Sequence, residues 1–439
     1  MTTRIDRRTA LQTLARTAAS GMLAACGARH GAPARDTTRE TTMTSTHGSN
    51  LHARIHDAIA GHIARGELPG AIGLVSRPGE VEVAVVGAMA DGGPPLQRDA
   101  IFRIASMTKP ITAAAALIAI DDGKLALDEP VDRLLPELAH PRVLRRFDGP
   151  LDDTVPAARP IQVRDLLSFT MGLGILLAPP GTFPIQRALD EHRLGQGFPR
   201  PQVPPDPDEW IRRLGTLPLC HQPGEQWMYH TGCDVLGVLL ARAYRQPFES
   251  VLEERLFAPL GMVDTGFSVP PARRDRLVTS YAADPATGAR TLNDAPDGDW
   301  SRPPAFPSGG GGLVSTIDDY LAFAELLAGG GERRGKRILS ARAVTAMTTD
   351  QLSPQQKAAS RWLPGYFDDH TWGYGVQVIT GRDDSGPTGA YGWDGGLGTV
   401  WRNDPAGRRV TILLTQQAFT SPVPPPVCRD FWLAARAGT

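Results

Sequence analysis

Strand-like patterns near both ends of the chain, separated by a mainly helical pattern, constrain the fold most strongly. The first two strand-like runs are joined by Arg77-Pro78-Gly79, a hairpin signal. A sheet built from these runs must be completed by both ends of the chain, with a helical domain inserted between them. We predict a sheet subdomain from 51–105 and 309–439, and a mainly helical subdomain from 106–308. The runs with strand patterning are 71–75, 81–86, 373–379, 398–401 and 410–415.

Helical periodicity fills much of the interval and also flanks the strands. An apolar stripe predicts a first helix over 51–65. Proline is tolerated in the first turn of a helix, where backbone N–H groups have no internal partners, so Pro110 places a second helix start at about Ser106. Further helices are predicted at 210–217, 235–244, 248–256, 317–327 and 427–437.

Ser106 and Lys109 are three positions apart at this helix start, so they lie on one face of the helix. An adjacent base that removes its proton makes a serine hydroxyl a good nucleophile. Only four of the 46 Lys plus Arg residues are lysines, and Lys109 is the only lysine with a serine three residues before it. Arginine cannot act as a base, whereas a buried lysine can. The pair therefore indicates nucleophilic catalysis more strongly than a chance Ser-x-x-Lys match would.

The composition excludes several classes of protein. With 439 residues, 41% hydrophobic residues and a net charge of -1, the chain has a globular composition and lacks the basic excess of nucleic-acid-binding proteins. No Cys/His spacing is typical of metal ligands, so we predict neither a metal site nor a cofactor. Three cysteines follow Cys26, which argues against a full disulfide framework and leaves a Cys220–Cys233 bridge open.

Residues 1–26 have the pattern of an export signal. The pair Arg7-Arg8 before a weakly apolar stretch resembles a twin-arginine signal, and Leu23-Ala24-Ala25-Cys26 resembles a bacterial lipobox. We predict lipidation of Cys26, membrane attachment through that anchor, and a location in the cell envelope or periplasm. Residues 27–50 contain few large apolar side chains and are predicted to form a disordered tether. An ordinary secretory peptide or a disordered cytoplasmic leader are the alternatives.

The segment Ser106-Met107-Thr108-Lys109 resembles the Ser-x-x-Lys motif of serine β-lactamases and penicillin-binding proteins. Its surroundings, 102–110, are similar to class C β-lactamases and to family VIII carboxylesterases. The resemblance covers about 51–439 and implies an α+β fold, an antiparallel sheet flanked by helices with an inserted mainly helical domain. Further segments that resemble the family, in the family's order, are 165–173, 259–267 and 311–316.

The family's Tyr-x-Asn motif falls on Tyr229-His230-Thr231. The resemblance implies that the Tyr229 phenol shares a proton with Lys109 and acts as general base or acid toward Ser106. Thr231 takes the asparagine position, which weakens any substrate contact that the amide would make. His230 occupies the variable position and is expected to be a bystander. The structural alternative for Tyr229 is a buried ring packed beside Trp227.

The family's Lys-Thr-Gly motif is replaced by Trp393-Asp394-Gly395, which the resemblance assigns to substrate binding together with Thr231. Trp393 supplies no positive charge, and Asp394 is expected to repel the carboxylate of a β-lactam or peptide. By analogy, the backbone N–H groups of Ser106 and Gly396 form the oxyanion hole. A plain hairpin turn is the structural alternative for this segment.

The sequence therefore predicts a serine hydrolase acting by acyl transfer on a small-molecule ester or amide, with a carboxylic ester as the favoured substrate. The first alternative is a β-lactamase or D-alanyl-D-alanine carboxypeptidase that uses the same chemistry. The second is a non-catalytic envelope binding protein with the same fold. No Gly-x-Ser-x-Gly motif is present, which argues against an α/β-hydrolase.

Overall fold

The computed structural model describes residues 46–437 apart from residue 196, and the side chains from Asn50 onward. The predicted export signal, the lipobox with Cys26 and the tether as far as residue 45 lie outside the described residues. The first helix begins at Thr46, so the last five residues of the predicted tether belong to it. Continuity with an apolar helix therefore outweighs the polar composition of these five residues.

A seven-stranded antiparallel sheet forms the centre of the molecule, as predicted, from both ends of the chain. Its spatial order is β3-β4-β5-β6-β7-β1-β2, which places the C-terminal strand β7 beside the N-terminal strand β1. The register pairs Ile72 of β1 with Val85 of β2 on one side and with Leu414 of β7 on the other. The strands are β1 Gly70–Arg77, β2 Glu80–Gly87, β3 His370–Trp372, β4 Gln377–Ile379, β5 Tyr391–Gly395, β6 Thr399–Asp404 and β7 Arg409–Thr415.

Strand β5 is the principal element that sequence patterning missed, since its glycines indicate a turn. The glycines are required because backbone from other elements approaches the strand closely. A Cβ at Gly392 would overlap the carbonyl oxygen of Trp401, and a Cβ at Gly395 would overlap that of Ile104. The prediction of a single strand over 373–379 was wrong at its first half, which is a turn between β3 and β4.

Helices cover both faces of the sheet. Helix α1 and the C-terminal helix α13 pack on one face, where Gly73 lies against Ile59 and Phe431. Helices α2 and α9 lie on the other face, and α2 also packs against α6. The helices are α1 Thr46–Ala64, α2 Thr108–Asp121, α3 Val163–Leu167, α4 Pro184–Glu191, α5 Pro207–Gly215, α6 Thr231–Tyr244, α7 Phe248–Leu252, α8 Ala258–Leu260, α9 Ile317–Ala328, α10 Ala341–Met347, α11 Pro354–Ala359, α12 Tyr366–Asp369 and α13 Pro426–Arg436.

Small strand pairs hold the loops in place. Phe102–Arg103, just before the predicted nucleophile, pairs with Val314–Ser315, which follows the glycine-rich segment. The other pairs are Arg142–Leu144 with Thr154–Pro156, Ser280–Ala283 with Arg290–Asp294, and Glu332–Arg333 with Lys336–Arg337.

The three cysteines of the described residues are free and buried, so the Cys220–Cys233 bridge that the sequence left open is not formed. Among the described residues, no helix combines the length and the apolar character needed to cross a membrane. The same part of the chain contains no cluster of three His, Cys, Asp or Glu side chains arranged to hold a metal ion.

Candidate active site

Ser106 sits at the junction between the sheet and helix α2. It lies in a short 3-10 turn, Ala105–Met107, that leads directly into α2, close to the predicted helix start. Ala105 has a φ of 42°, an unusual left-handed value for a non-glycine residue that is found where surrounding structure enforces it. The turn is anchored because Ile104 N donates to Leu313 O at 3.0 Å. These contacts fix the half-buried Ser106 hydroxyl at the wall of a cavity.

Lys109 lies one turn later and is completely buried. Its Nζ is 2.9 Å from Ser106 Oγ and 3.0 Å from His230 Nδ1, and it donates to the carbonyl oxygen of Gly310. In the described part of the chain, no carboxylate lies within salt-bridge distance of this amine. Burial lowers the pKa of Lys109 to about 8, against a smaller raising effect of Asp234. The amine can therefore lose its proton near neutral pH.

Tyr229 completes the predicted trio. Its hydroxyl accepts a hydrogen bond from Trp393 Nε1 at 2.8 Å. The Ser106 side chain is near enough to act on the pKa of the phenol, which it lowers. Lys109 Nζ lies 4.4 Å from the centre of the Tyr229 ring. Burial raises the pKa of Tyr229 above its usual value, so the phenol keeps its proton. The ring also packs beside Trp227, so the alternative contact and the predicted one coexist.

His230 is not the bystander that the sequence suggested. Its Nδ1 faces Lys109, and its Nε2 lies 3.2 Å from Asp234 Oδ2. Burial and the charge of Lys109 lower the pKa of His230, which favours a neutral imidazole. The backbone of His230 has a φ of 91°, which turns the ring toward the amine. The missed signal was the i, i+4 spacing of His230 and Asp234.

Asp234 is itself fixed from the opposite side. Its Oδ1 accepts hydrogen bonds from Ser308 Oγ at 2.7 Å and Gly310 N at 2.9 Å. Burial alone would raise the pKa of Asp234, but His230 and these hydrogen bonds lower it overall, so the carboxylate is charged. A Cβ at Gly310 would lie 2.9 Å from the His230 ring, so the glycine-rich segment is needed for close packing.

Strand β5, which leads to the predicted oxyanion-hole residue Gly396, faces the group formed by Ser106, Lys109 and Tyr229. Gly395 of β5 lies against the Ile104 carbonyl, and Thr399 Oγ1 at the start of β6 donates to the same oxygen at 3.2 Å, so both strands are held against the Ser106 turn. Gly396 follows β5 directly and lines the same cavity as Ser106. The roles of the Ser106 and Gly396 N–H groups in an oxyanion hole stay predictions.

The predicted substrate-binding residues divide into two groups. Trp393 and Asp394 line the cavity beside Ser106. Thr231 is buried at the start of α6, and neither it nor Gly395 is among the cavity-lining residues. Their predicted substrate contacts stay predictions.

The carboxylate of Asp394 is not a free negative charge, contrary to the expectation that it would repel a substrate carboxylate. Arg402 donates to its two oxygens at 2.6 and 3.0 Å, and the guanidinium is buried. No sequence pattern indicated this partner, because it comes from the neighbouring strand β6.

The cavity has a volume of about 700 Å³ and a mainly apolar wall near Ser106. Three of the large hydrophobic side chains that remain exposed stand around it: Leu177 (45% exposed), Phe198 (52%) and Val423 (61%). The Phe198 ring lies over the oxyanion strand, since a Cβ at Gly396 would be 2.7 Å from it. The site therefore offers an apolar surface directly beside the nucleophile.

Comparisons with known proteins agree with this arrangement. The Beta-lactamase family model matches residues 55–430. Esterase EstB of Burkholderia gladioli is 30% identical over 397 residues, covering 85% of this chain and 93% of EstB. Lovastatin esterase of Penicillium rubens is 31% identical over 330 residues, covering 70% of this chain and 77% of that protein.

Among solved structures, EstCE1, described as a hydrolase with promiscuous acyltransferase activity, is 26% identical with a TM-score of 0.70. The match covers 88% of this chain and 99% of EstCE1. The chain therefore belongs to the β-lactamase family and is an enzyme with the fold of that family, whose members among its relatives include esterases and acyltransferases.

Proposed function

We propose that this enzyme hydrolyses carboxylic esters by acyl transfer through Ser106. The observation that carries the proposal is the Lys109 amine, buried and without a carboxylate partner among the described residues, 2.9 Å from Ser106 Oγ. A lysine held in this way is a base at neutral pH, which is what a serine nucleophile requires.

In the proposed first step, neutral Lys109 takes the Ser106 proton while Ser106 Oγ attacks the ester carbonyl. The backbone N–H groups of Ser106 and Gly396 stabilise the tetrahedral oxyanion. The intermediate collapses to an acyl-serine as the Tyr229 phenol gives its proton to the leaving alcohol, and Lys109 returns a proton to Tyr229. Water then attacks the acyl group by the reverse path and releases the acid and free Ser106.

The raised pKa of Tyr229 refines the role expected from the sequence. Since the phenol keeps its proton in the resting enzyme, Lys109 is the better initial base and Tyr229 the better proton donor to the alcohol. Trp393 Nε1 holds the phenol oxygen in place, because an indole N–H can only donate. His230 is neutral in this scheme. Its ring holds the Lys109 amine in line with Ser106, so His230 is a positioning residue.

The favoured substrate is an uncharged ester with an apolar acyl or alcohol part. Apolar side chains surround the entrance to the cavity, and Trp393 stands where related β-lactamases place a lysine. Arg402 already pairs with Asp394 and is not available to a substrate carboxylate. The esterase relatives EstB and lovastatin esterase also support an ester substrate. These features disfavour β-lactams and peptide C-termini, which carry a carboxylate.

A two-substrate assay tests the proposal. Purified enzyme is given p-nitrophenyl butyrate and nitrocefin in parallel, and we expect turnover of the ester to exceed that of the β-lactam. Preferential turnover of nitrocefin would move the enzyme to the first alternative. A fluorophosphonate probe should label wild type and leave Ser106→Ala unlabelled, with Ser168→Ala as a matched control that retains labelling. Absence of labelling by any acylating probe would favour the non-catalytic alternative.

We also propose that the protein is exported and anchored to a membrane through a lipid on Cys26. The support is the pattern of residues 1–26 alone. Intact mass of the protein isolated from the cell envelope should correspond to a chain that begins at a lipidated Cys26. The variant Cys26→Ala should move to the soluble fraction. An unprocessed N-terminus in the cytoplasm would contradict this proposal without affecting the ester hydrolase.

A further inference from the structure

Three arginines in the described part of the chain are less than a tenth exposed: Arg103 (2%), Arg402 (4%) and Arg409 (7%). Arg103 and Arg402 each donate twice to a carboxylate, from Asp294 and Asp394 respectively. Arg409 has no such partner among the described residues, and its Nε is buried without a hydrogen bond. Because an unpaired buried cation is costly, its surroundings require an explanation.

The groups beside Arg409 add positive charge. Arg77 comes from the end of β1, and Arg436 from the last turn of α13. Burial, followed by the charge of Arg77, lowers the pKa of Arg409, and Arg436 adds to the effect. Arg77 Nε is also buried without a hydrogen bond, although its Nη2 donates to Ala435 O at 3.3 Å. Like charges collected in this way favour binding of an anion.

These arginines line a cleft of about 680 Å³ at one end of the sheet, and Arg382 faces it from the loop between β4 and β5. The cleft also contains Asp383 and Asp404, so its side chains carry four positive and two negative charges, an excess of two. Both carboxylates already have partners.

Asp383 Oδ2 lies 2.5 Å from His370 Nε2, and Asp404 Oδ1 accepts from Gly407 N at 2.8 Å. Their remaining capacity to neutralise Arg409 is therefore reduced. Asp404 does act on Arg409 at a distance, since its charge opposes the lowering of the Arg409 pKa, but it forms no ion pair with it.

We propose that this cleft, which is separate from Ser106, binds a phosphate-type anion between Arg409, Arg77 and Arg382. Guanidinium groups recognise phosphate through paired N–H donors. The same chemistry is presented by free inorganic phosphate and by a phospholipid headgroup, and the cleft is open enough to admit either.

Thermal unfolding of the whole protein in inorganic phosphate, with sodium chloride at equal ionic strength as reference, tests the site. We expect about 10 mM phosphate to raise the midpoint Tm of wild type by about 2–4 °C in a saturable manner. Arg409→Gln should lose this rise. In chloride its Tm should be no lower than that of wild type, because an unpaired buried charge has been removed.

Arg408→Gln is the matched control, since it removes the same charge from an exposed neighbour that does not line the cleft. It should retain the phosphate-dependent rise. Should Arg409→Gln fail to fold, Arg77→Gln provides the same test. Ester hydrolysis by these variants should equal that of wild type, which separates this site from the catalytic proposal.

Flotation with vesicles of phosphatidylglycerol in phosphatidylcholine distinguishes the two sources of the anion. Binding that depends on Arg409 but not on Arg408 would identify a phospholipid headgroup. A saturable Tm rise in phosphate without vesicle binding would identify a free anion. The proposal is overturned if wild type shows neither effect, or if Arg409→Gln and Arg77→Gln keep the full response of wild type.

Discussion

The buried cations at the two ends of the Ser106 cavity differ in their partners. At one end, Lys109 touches a hydroxyl, an imidazole and a carbonyl, and its pKa falls to about 8. At the other end, burial would also lower the pKa of Arg402, but Asp394 outweighs it and the pKa of Arg402 is raised. A paired cation stays charged, whereas a buried cation with neutral contacts can release its proton.

Asp383 and His370, at the Arg402 end of the cavity, also show that a charged partner keeps a buried group ionised. Asp383 contacts His370 and lines the same cavity. Burial alone would raise the pKa of Asp383, but His370 and the charge of Arg402 lower it well below its usual value. The enzyme therefore keeps its reactive proton on the buried cation that has no carboxylate partner, and substitutions at either end of the cavity test this difference.

Substitution of Lys109, the cation without a carboxylate partner among the described residues, should have the largest effect on catalysis. We expect Lys109→Met, like Ser106→Ala, to lower kcat/KM for p-nitrophenyl butyrate by about 1000-fold or more, because no base remains beside the hydroxyl. Lys109→Arg should be equally inactive, since a guanidinium stays protonated. Steady-state kinetics check this, with Lys124→Arg on the exposed side of the turn after α2 as the matched control.

Breaking the ion pair between Asp394 and Arg402 should reduce the stability of the enzyme more than its catalytic rate. Asp394→Asn leaves Arg402 buried and unpaired, for which we expect a loss of about 3 kcal/mol in the free energy of unfolding. Urea titration measures this loss. The double variant Asp394→Asn/Arg402→Met should regain most of it, since neither charge remains.

The same substitution should also alter selectivity. With its charge uncancelled, Arg402 attracts a substrate carboxylate, so the ratio of nitrocefin to butyrate turnover should rise in Asp394→Asn. An unchanged ratio, together with unchanged stability, would show that the two ends are not electrostatically different.

Removing the support of Lys109 should have an intermediate effect. Asp234→Asn keeps the size of the side chain but weakens the hold on His230, and we expect kcat/KM to fall by about 10- to 100-fold through misplacement of the amine. The charge of Asp234 raises the pKa of Lys109. Its removal should therefore move the alkaline rise of the pH–rate profile to lower pH. A purely structural role would reduce the rate without moving the profile.

The smallest effect is expected at the rim of the cavity. Phe198→Ala should raise KM for p-nitrophenyl butyrate severalfold, equivalent to about 1 kcal/mol, with little change for the acetate ester. Leu292→Ala is the matched control, because Leu292 is also exposed but does not line the cavity. Equal effects of the two substitutions on both esters would argue against an apolar contact at Phe198.

Much of the fold and the centre of the site could be predicted from the sequence. Hairpin chemistry at Arg77-Pro78-Gly79 and the β-branched run near 410–415 led to the correct joining of the two chain ends in one sheet. The spacing of Ser106 and Lys109 needed only helical geometry. The proximity of Tyr229 came from the family resemblance, since no local pattern links residues so far apart.

The parts that were missed depend on long-range packing. Strand β5 was obscured because its glycines serve close approach to other backbone, which a single sequence does not reveal. Arg402 reaches Asp394 only through the register of β5 and β6. His230 was judged by its position in a motif, while its actual contact depends on a left-handed backbone conformation that propensity does not predict.

The pH dependence of Ser106 acylation shows whether neutral Lys109 is the base. Single-turnover rates with p-nitrophenyl butyrate should rise with pH through a midpoint near 8 and then level off, as the amine of Lys109 loses its proton. In Asp234→Asn the midpoint should move to lower pH. A midpoint near that of an exposed lysine, about 10.4, or a profile that Lys109→Met leaves unchanged, would contradict the account.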